Sequence, residues 1–310
     1  MSDLYIYSPS GAVRDRAAFK RGLAFLKRAG HTVRVDPAAL NSDTRFAGTD
    51  LERLEAIERA ARSGADATLI SRGGYGLTRL LPNLPYTAIR QSIDRGMHWF
   101  GFSDFTAFQL AVLARTGRVT WAGPALCDSF GVNADSGVDD ITYDCFNDVL
   151  SEQGEGTGWR MGLKAARGLM SRKSGVWARN AQLWGGNLTV LCSLLGTNYF
   201  PKIRGGVLFL EDVGEHPYRI ERLLSQLLHA GVLAQQKAII LGHFTDYRLT
   251  EHDQRFGMPT VLDWLRSQLK APILTDLPFG HVATRVSLPV GARVDLLVEG
   301  RDVMMVWGHL

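Results

Sequence analysis

Ser103 stands in the surroundings most typical of a catalytic nucleophile. It lies in the segment 101–107, Gly-Phe-Ser-Asp-Phe-Thr-Ala, between an apolar run that predicts a buried strand and an apolar pattern that predicts a helix. A strand-to-helix turn of this kind exposes the serine oxygen and directs the next backbone N–H groups toward developing negative charge. The segment departs from G-x-S-x-G because Phe105 replaces the second glycine. Taken alone, the turn is explained more simply by a serine that caps the helix.

A serine needs a general base to become nucleophilic, and the base needs an acid that orients it. Two histidines follow apolar, strand-like segments in turns that contain glycine: His243 in Gly-His-Phe-Thr-Asp and His281 in Phe-Gly-His. Spacing alone does not separate these two candidates. We expect structural or solvent-exposed positions for the other histidines, which are His31, His98, His216, His229, His252 and His309. Among these, His216 precedes a proline and is expected to cap a helix.

A glycine-rich loop, Arg-Gly-Gly-Tyr-Gly at 72–76, follows the apolar segment 65–70. It lacks the G-x-G-x-x-G register of dinucleotide sites, and the chain contains no G-x-x-x-x-G-K-[ST] phosphate loop, so we expect no nucleotide cofactor. Glycines at a strand end also let backbone N–H groups approach a substrate oxygen, as an oxyanion hole requires. Arg72 is suited to bind a carboxylate through its planar fork, or to hold the loop through an ion pair.

Composition sets the outer limits of the interpretation. The chain has 310 residues, of which 45% are hydrophobic and 21% charged, as expected of a globular protein with two domains or one large α/β unit. No apolar run approaches the roughly 20 residues of a membrane span, and the N-terminus resembles no secretory signal, so we expect a cytoplasmic protein without a membrane partner. A net charge of +4 without a basic, aromatic-rich run disfavours nucleic acid. Three widely spaced cysteines predict reduced thiols and no metal site.

Apolar runs that alternate with amphipathic segments predict an α/β fold with helices on the faces of a layered sheet. We divide the chain into an N-terminal domain at 1–150, an inter-domain crossing at 151–175 and a C-terminal domain at 176–310. In the first domain the pattern predicts strands at 4–7, 65–70 and 119–122 and helices at 14–28 and 50–62. In the second it predicts strands at 206–210 and 237–241, helices at 218–229 and 260–269, and antiparallel strands within 286–306.

Six motifs, taken in their order along the chain, resemble those of the LD-carboxypeptidase family of serine peptidases. They are Phe-Ala-Gly-Thr-Asp at 46–50, Arg-Gly-Gly-Tyr-Gly at 72–76, the Ser103 segment at 101–107, Trp-Gly-Gly-Asn-Leu at 184–188, Leu-Glu-Asp with Glu-His-Pro at 210–217, and Phe-Gly-His at 279–281. The resemblance implies an N-terminal layered sheet similar to that of class I glutamine amidotransferases and a smaller C-terminal β/α domain.

The resemblance also implies a catalytic triad. Ser103 corresponds to the family's nucleophile, Glu211 to its acid and His281 to its base, so the resemblance selects His281 over His243. The implied activity is removal of the terminal D-alanine from cytoplasmic murein tetrapeptides, by cleavage of an L-to-D bond, with no metal or cofactor. A sibling activity in the same family cleaves a microcin-C-type acyl-sulfamoyl-adenylate, and a binding protein without chemistry is a further alternative.

Several other residues receive expected roles from this resemblance. The backbone N–H of Asp104 and that of Gly74 are expected to form the oxyanion hole. Substrate binding is expected from Arg72, Gly73 and Glu215, and the carboxylate of Asp104 is expected either to bind a substrate amine or to cap the helix. The expected partner is a small murein peptide, and the family resemblance implies a homodimer.

Overall fold

The computed structural model describes residues 1–133, 135–167, 169 and 173–309. These residues form two compact units. Within the described residues, the first comprises 1–153, 196–201 and 283–291, and the second comprises 154–195, 202–282 and 292–309. Within the described residues, no helix has the length and apolar character needed to cross a membrane.

The described residues contain the following strands, in chain order. They are β1 (Asp3–Tyr7), β2 (Thr32–Val35), β3 (Ala67–Ile70), β4 (His98–Gly101), β5 (Thr120–Ala122), β6 (Gly156–Arg160), β7 (Gly175–Asn187), β8 (Val207–Val213), β9 (Ala238–Thr245), β10 (Ile273–Leu274), β11 (Leu288–Val290), β12 (Arg293–Glu299) and β13 (Asp302–Val306). The helices are α1 (Arg16–Arg28), α2 (Asp50–Arg62), α3 (Tyr86–Asp94), α4 (Phe105–Thr116), α5 (Asp140–Leu150), α6 (Leu163–Arg167), α7 (Leu188–Ser193), α8 (Pro217–His229) and α9 (Met258–Gln268).

The first unit is built on a six-stranded sheet in the order β11-β5-β4-β3-β1-β2. Strands β1 to β5 are parallel, and β11 pairs antiparallel with β5. The chain order therefore reverses at β1, which lies between β2 and β3. In sheets of this doubly wound type, ligands bind beyond the carboxyl ends of the strands at such a switch point. The loops after β1, β3 and β4 begin there.

Local sequence explains why the flanking helices begin and end where they do. Asp15 caps α1 by accepting a hydrogen bond from the Ala18 N–H, and Thr49 and Glu52 form a capping box at the start of α2. Helix α2 buries Ala56, Ile57 and Ala60 at helical spacing. Helix α4 is apolar on all sides and is buried from Phe105 to Leu113, which makes it the central helix of this layer.

The second unit contains a seven-stranded sheet in the order β10-β9-β8-β7-β12-β13-β6. Strands β7 to β10 are parallel, whereas β12, β13 and β6 are antiparallel. The register between β8 and β9 shifts after Leu210, which pairs with Leu241, because Asp212 pairs with Phe244. Strand β9 thus carries one extra residue opposite Glu211, and such a bulge re-aims neighbouring side chains.

The predicted α/β fold with layered sheets and helices is confirmed, and most predicted elements lie within two residues of the observed ones. The tail 286–306 does form antiparallel strands, although β11 joins the first sheet and β12 and β13 join the second. The segment 151–175, predicted as a crossing, contains β6 and α6. Strand β6 pairs with β13 at the sheet edge, and its glycines at 156 and 158 removed the alternation by which a strand is recognised.

Candidate active site

Ser103 occupies a strained turn between β4 and α4. Its φ is +63°, in the left-handed region that residues with a side chain rarely adopt. Within the described residues, Ser103 Oγ makes no hydrogen bond to the first turn of α4, and that turn is closed instead by the Thr106 N–H donating to the Ser103 carbonyl at 3.0 Å. The interpretation of Ser103 as a side-chain helix cap is therefore wrong. A left-handed serine between a strand and a helix is the geometry of a nucleophile elbow.

The glycine-rich loop after β3 lies directly against this serine. A Cβ at Gly73 would lie 2.8 Å from Ser103 Cβ and 2.9 Å from Ser103 Oγ, which is closer than real Cβ contacts allow. Only glycine therefore fits at this position. Gly74 follows with a φ of +116°. Within the described residues, neither the Gly74 N–H nor the Asp104 N–H donates a hydrogen bond, so both donors at the turn are available.

The Asp104 carboxylate joins three strand-end loops of the first unit. It is 3% exposed and accepts hydrogen bonds from Ser10 Oγ at 2.7 Å and from the Leu77 N–H at 3.0 Å. Ser10 follows β1, Leu77 follows β3 and Asp104 follows β4. Within the described residues this carboxylate makes no cap bond to α4, so its predicted role as a helix cap is wrong, and its predicted binding of a substrate amine stays a prediction. Burial raises the pKa of Asp104 above its usual value.

We expect Asp104→Asn to change the pH dependence of stability. Because the pKa of Asp104 is higher in the folded than in the unfolded state, the folded protein holds this proton longer, and stability falls as pH rises through the interval between the two values. The asparagine variant has no such proton to lose and should lack that fall in stability. The melting temperature of the variant minus that of the native protein should therefore increase from pH 4 to pH 7. Calorimetric scans over this range test the prediction. A constant difference across the range would contradict it.

Arg72 does not form the ion pair that was one of its two predicted roles. Its Nη1 donates a hydrogen bond to the Ala12 carbonyl at 3.3 Å, and within the described residues no carboxylate pairs with it. The guanidinium is nevertheless packed against the loops after β1 and β3, since a Cβ at Gly11 would lie 2.9 Å from Nη1. The loop is thus held by a carbonyl contact, which leaves the charge of Arg72 unneutralised.

In the second unit, His281 and Glu211 form a direct pair. His281 Nδ1 lies 2.9 Å from Glu211 Oε2, and Glu211 has no exposed surface. Gly280 adopts a φ of +135°, and a Cβ there would lie 3.3 Å from Glu211 Oε2 and 3.0 Å from the His243 carbonyl. The glycine before His281 therefore permits the approach of the histidine to the acid. Of the two histidines that spacing left equivalent, His281 contacts Glu211, whereas His243 lies in the bulge of β9.

A polar network that sequence reasoning did not identify supports Glu211. Asn187 Nδ2 donates to Glu211 Oε1 at 3.1 Å and to Asp212 Oδ1 at 2.9 Å. Asp212 Oδ2 in turn accepts hydrogen bonds from the Thr189 N–H at 2.9 Å and from Thr189 Oγ1 at 2.7 Å. Burial raises the pKa of Asp212, although the hydrogen bonds from Thr189 and Asn187 lower it in part. Asn187 and Asp212 lie inside the motifs at 184–188 and 210–217, and their presence in these motifs is the sequence feature that could have identified them as site residues.

The connection between β8 and α8 contains two further residues of interest. Glu215, expected to bind substrate, pairs with Arg219 at 2.5 Å, and its side chain is 17% exposed. His216 caps α8 by accepting a hydrogen bond from the Tyr218 N–H at 3.4 Å, and its Nε2 lies 3.2 Å from Asp253 Oδ2. The capping role predicted for His216 is confirmed. The substrate role of Glu215 stays a prediction.

The cysteines offer no competing nucleophile in the described residues. All three are free thiols, and burial raises the pKa of Cys127 and that of Cys192 to about 12, so both stay protonated at neutral pH. Within the same residues, no three side chains of His, Cys, Asp or Glu type are grouped closely enough to hold a metal ion. Ser103 and the His281–Glu211 pair are thus the two chemically distinctive groups, one in each unit.

Comparison with known proteins places these features in a family. Residues 4–123 match the LD-carboxypeptidase N-terminal domain and residues 180–296 match the LD-carboxypeptidase C-terminal domain. The chain is 30% identical to the probable murein peptide carboxypeptidase of Bacillus subtilis, with 90% of this chain and 84% of the relative covered. It is 27% identical to the microcin C7 self-immunity protein of Escherichia coli, with coverage of 98% and 92%.

Among solved structures, the muramoyltetrapeptide carboxypeptidase from Oxalobacter formigenes superposes with a TM-score of 0.85 at 34% identity, covering 99% of this chain and 98% of that one. The residues matched by the two family domains include Ser103 in the first and Glu211 and His281 in the second. The chain therefore belongs to the LD-carboxypeptidase family.

Proposed function

We propose that this protein is a serine-type LD-carboxypeptidase that removes the terminal D-alanine from cytoplasmic murein tetrapeptides during peptidoglycan recycling. The observation that carries the proposal is the Ser103 turn, in which a residue with a side chain is held at a φ of +63° against Gly73. Strain of this kind costs of order 1–3 kcal/mol and persists where function requires the conformation. The relative named as a muramoyltetrapeptide carboxypeptidase supports the substrate class.

The proposed chemistry assigns one role to each member of the triad. His281 Nε2 accepts the proton of Ser103 Oγ as that oxygen attacks the peptide carbonyl carbon, and the same proton then passes to the leaving amine of D-alanine. Glu211 accepts the hydrogen bond of His281 Nδ1–H, which keeps the imidazole in the tautomer with a basic Nε2 and stabilises the imidazolium. Water hydrolyses the acyl-enzyme by the reverse sequence of proton transfers.

The tetrahedral oxyanion requires preorganised donors, and we assign this role to the N–H groups of Asp104 and Gly74. Asp104 follows the nucleophile directly, at the start of α4, where the helix dipole favours negative charge. Gly74 belongs to the loop that packs on Ser103. Loss of one such donor typically lowers kcat by about 10²- to 10³-fold. Gly73 permits the close approach of the loop, and Glu215 remains a proposed substrate contact.

The test of the proposed function is release of D-alanine from a purified murein tetrapeptide. We expect release from the peptide with a terminal D-alanine and none from the otherwise identical peptide with a terminal L-alanine, because the family cleaves an L-to-D bond. Chromatography of the tripeptide product measures both reactions. A folded protein that releases the terminal alanine from neither peptide would contradict the assignment and would favour a binding protein without chemistry.

A second candidate function is hydrolysis of an aminoacyl- or peptidyl-sulfamoyl-adenylate, as in microcin-C immunity. It is favoured by the similarity to the microcin C7 self-immunity protein, which extends over 98% of this chain. Incubation with an aspartyl sulfamoyl adenosine distinguishes it from the murein activity. We further propose, from the family resemblance, a homodimer and a first unit similar to class I glutamine amidotransferases. Size-exclusion chromatography with light scattering tests the homodimer.

A further inference from the structure

A cavity of about 460 Å³ lies in the first unit beside the glycine-rich loop. Arg72 lines it on the side of that loop, Arg14, Asp15 and Arg21 line it from the start of α1, and Cys127 and Asp128 line it from the turn after β5. The volume lies within the range of about 300–1,000 Å³ that small-molecule sites occupy. It is large enough for an amino acid.

Arg72 connects this cavity with the proposed oxyanion loop. A Cβ at Gly74 would lie 3.6 Å from Arg72 Nη1, and a Cβ at Gly11 would lie 2.9 Å from the same nitrogen. The guanidinium is thus packed on the backbone of Gly74, while the preceding residue, Gly73, touches Ser103. A ligand group bound by Arg72 therefore lies beside the loop that packs on the nucleophile.

The charges around the cavity favour an anion. Arg21 is already satisfied, because its Nε donates to the Gly131 carbonyl at 2.9 Å and its Nη2 lies 3.7 Å from Asp15. Within the described part of the chain, no carboxylate forms an ion pair with Arg14 or with Arg72. Asp128 also lines the cavity, which leaves three arginines facing two aspartates. A planar guanidinium with free donors matches the two oxygens of a carboxylate.

We infer that this cavity is the subsite of the leaving residue, in which Arg72 binds the free C-terminal carboxylate and Arg14 adds a second positive charge. This inference rests on the proposed carboxypeptidase function. Consecutive Cα atoms are about 3.8 Å apart, so the terminal carboxylate lies one residue beyond the carbonyl that Ser103 attacks. A longer peptide presents a neutral amide there instead. The subsite therefore selects the chain end by its charge, and its volume exceeds what the methyl group of alanine needs.

The test compares two tetrapeptides that differ only at the chain end, one with a free D-alanine carboxylate and one with a D-alanine amide. A charge-assisted hydrogen bond contributes about 1.5–3 kcal/mol, so we expect the native protein to prefer the acid by about 10- to 100-fold in kcat/KM. Arg72→Gln should reduce that ratio to about 1, mainly through KM for the acid. Arg72→Lys should restore part of the preference, because it restores the charge without the fork.

Arg79→Gln is the matched control, since Arg79 follows the same loop but pairs with Asp50 at 2.9 Å and does not line the cavity. It should keep the native ratio. Equal hydrolysis of both peptides by the native protein, or an equal loss on both in Arg72→Gln, would overturn the subsite while the proposed function stands. If the native protein hydrolyses neither peptide, the proposed function fails, and calorimetric titration of Ser103→Ala with both peptides then tests the subsite. Tighter binding of the acid than of the amide, lost when Arg72→Gln is added, supports the subsite. Any other result overturns the subsite.

Discussion

Replacement of Ser103 by alanine is expected to lower kcat for D-alanine release by about 10⁴- to 10⁶-fold, because no other group in the proposed site can form the acyl-enzyme. The substitution should lower kcat but leave the affinity for the tetrapeptide unchanged, since the methyl group of alanine leaves Gly73 and the oxyanion donors in place. Single-turnover kinetics and calorimetric titration of the variant with intact tetrapeptide measure the two quantities separately. Retained turnover in Ser103→Ala would refute the assignment of the nucleophile even if the activity were real.

A second substitution at the same position tests whether the positive φ of residue 103 lowers the stability of the folded protein. An alanine at a φ of +63° carries the same conformational free-energy cost as serine, whereas a glycine does not. Ser103→Gly should therefore have a higher melting temperature than Ser103→Ala, and both variants should be inactive. A lower melting temperature for the glycine variant would contradict a strained elbow. Covalent labelling by a serine-reactive phosphonate, expected for the native protein and absent from both variants, provides an independent readout at the same atom.

Glu211→Gln is expected to lower kcat by about 10⁴-fold with little change in the fold. The glutamine carbonyl can still accept the hydrogen bond of Asn187, which turns its NH₂ group toward His281 Nδ1. Nδ1 must then accept instead of donate, which places the proton on Nε2 and removes the general base. Steady-state kinetics show the loss, and nitrogen NMR of the imidazole shows the changed tautomer.

Asp212→Asn supplies the matched control for this substitution. It makes the same change from carboxylate to amide in the adjacent buried residue, which bonds to Asn187 and Thr189 but not to His281. We expect a lower melting temperature, because the new NH₂ group must face either the two Thr189 donors or the donors of Asn187 and Val213. We also expect a much smaller loss in kcat than in Glu211→Gln. Equal losses in kcat would mean that Glu211 acts only by holding the local structure.

The Asp104 network explains why the elbow holds its geometry. The strained Ser103 turn, the loop of Gly73 and Gly74 and the loop after β1 are joined by one buried carboxylate, which accepts from Ser10 and from the Leu77 N–H. A polar group buried at this depth is retained at a cost in desolvation, and this cost appears as the raised pKa of Asp104. The carboxylate therefore holds the loops around Ser103 in place.

Local sequence determined much of this protein. The alternation of apolar runs and amphipathic helices, the capping residues Asp15 and Thr49, and the glycine-bearing turns around Ser103 and His281 all lie within a few residues of the structure they specify, so their patterns were readable without the fold. The ordered motifs likewise supplied Glu211 as the candidate acid. The glycine-rich strand β6 was not predicted from the sequence, because its pairing with β13 depends on backbone hydrogen bonds and not on an alternating side-chain pattern.

Only the tertiary structure decided which of these residues act on one another. Spacing left His243 and His281 equivalent and the family resemblance selected His281, but only the structure shows its contact with Glu211, 70 residues away along the chain. The hydrogen bond from Ser10 to Asp104 and that from Arg72 to the Ala12 carbonyl cannot be read from the sequence either. The reason is physical: parallel strands bring distant residues to one sheet edge, and burial then decides which polar groups must pair. Turns and helices follow from neighbours in sequence, but partners across the sheet follow from its topology.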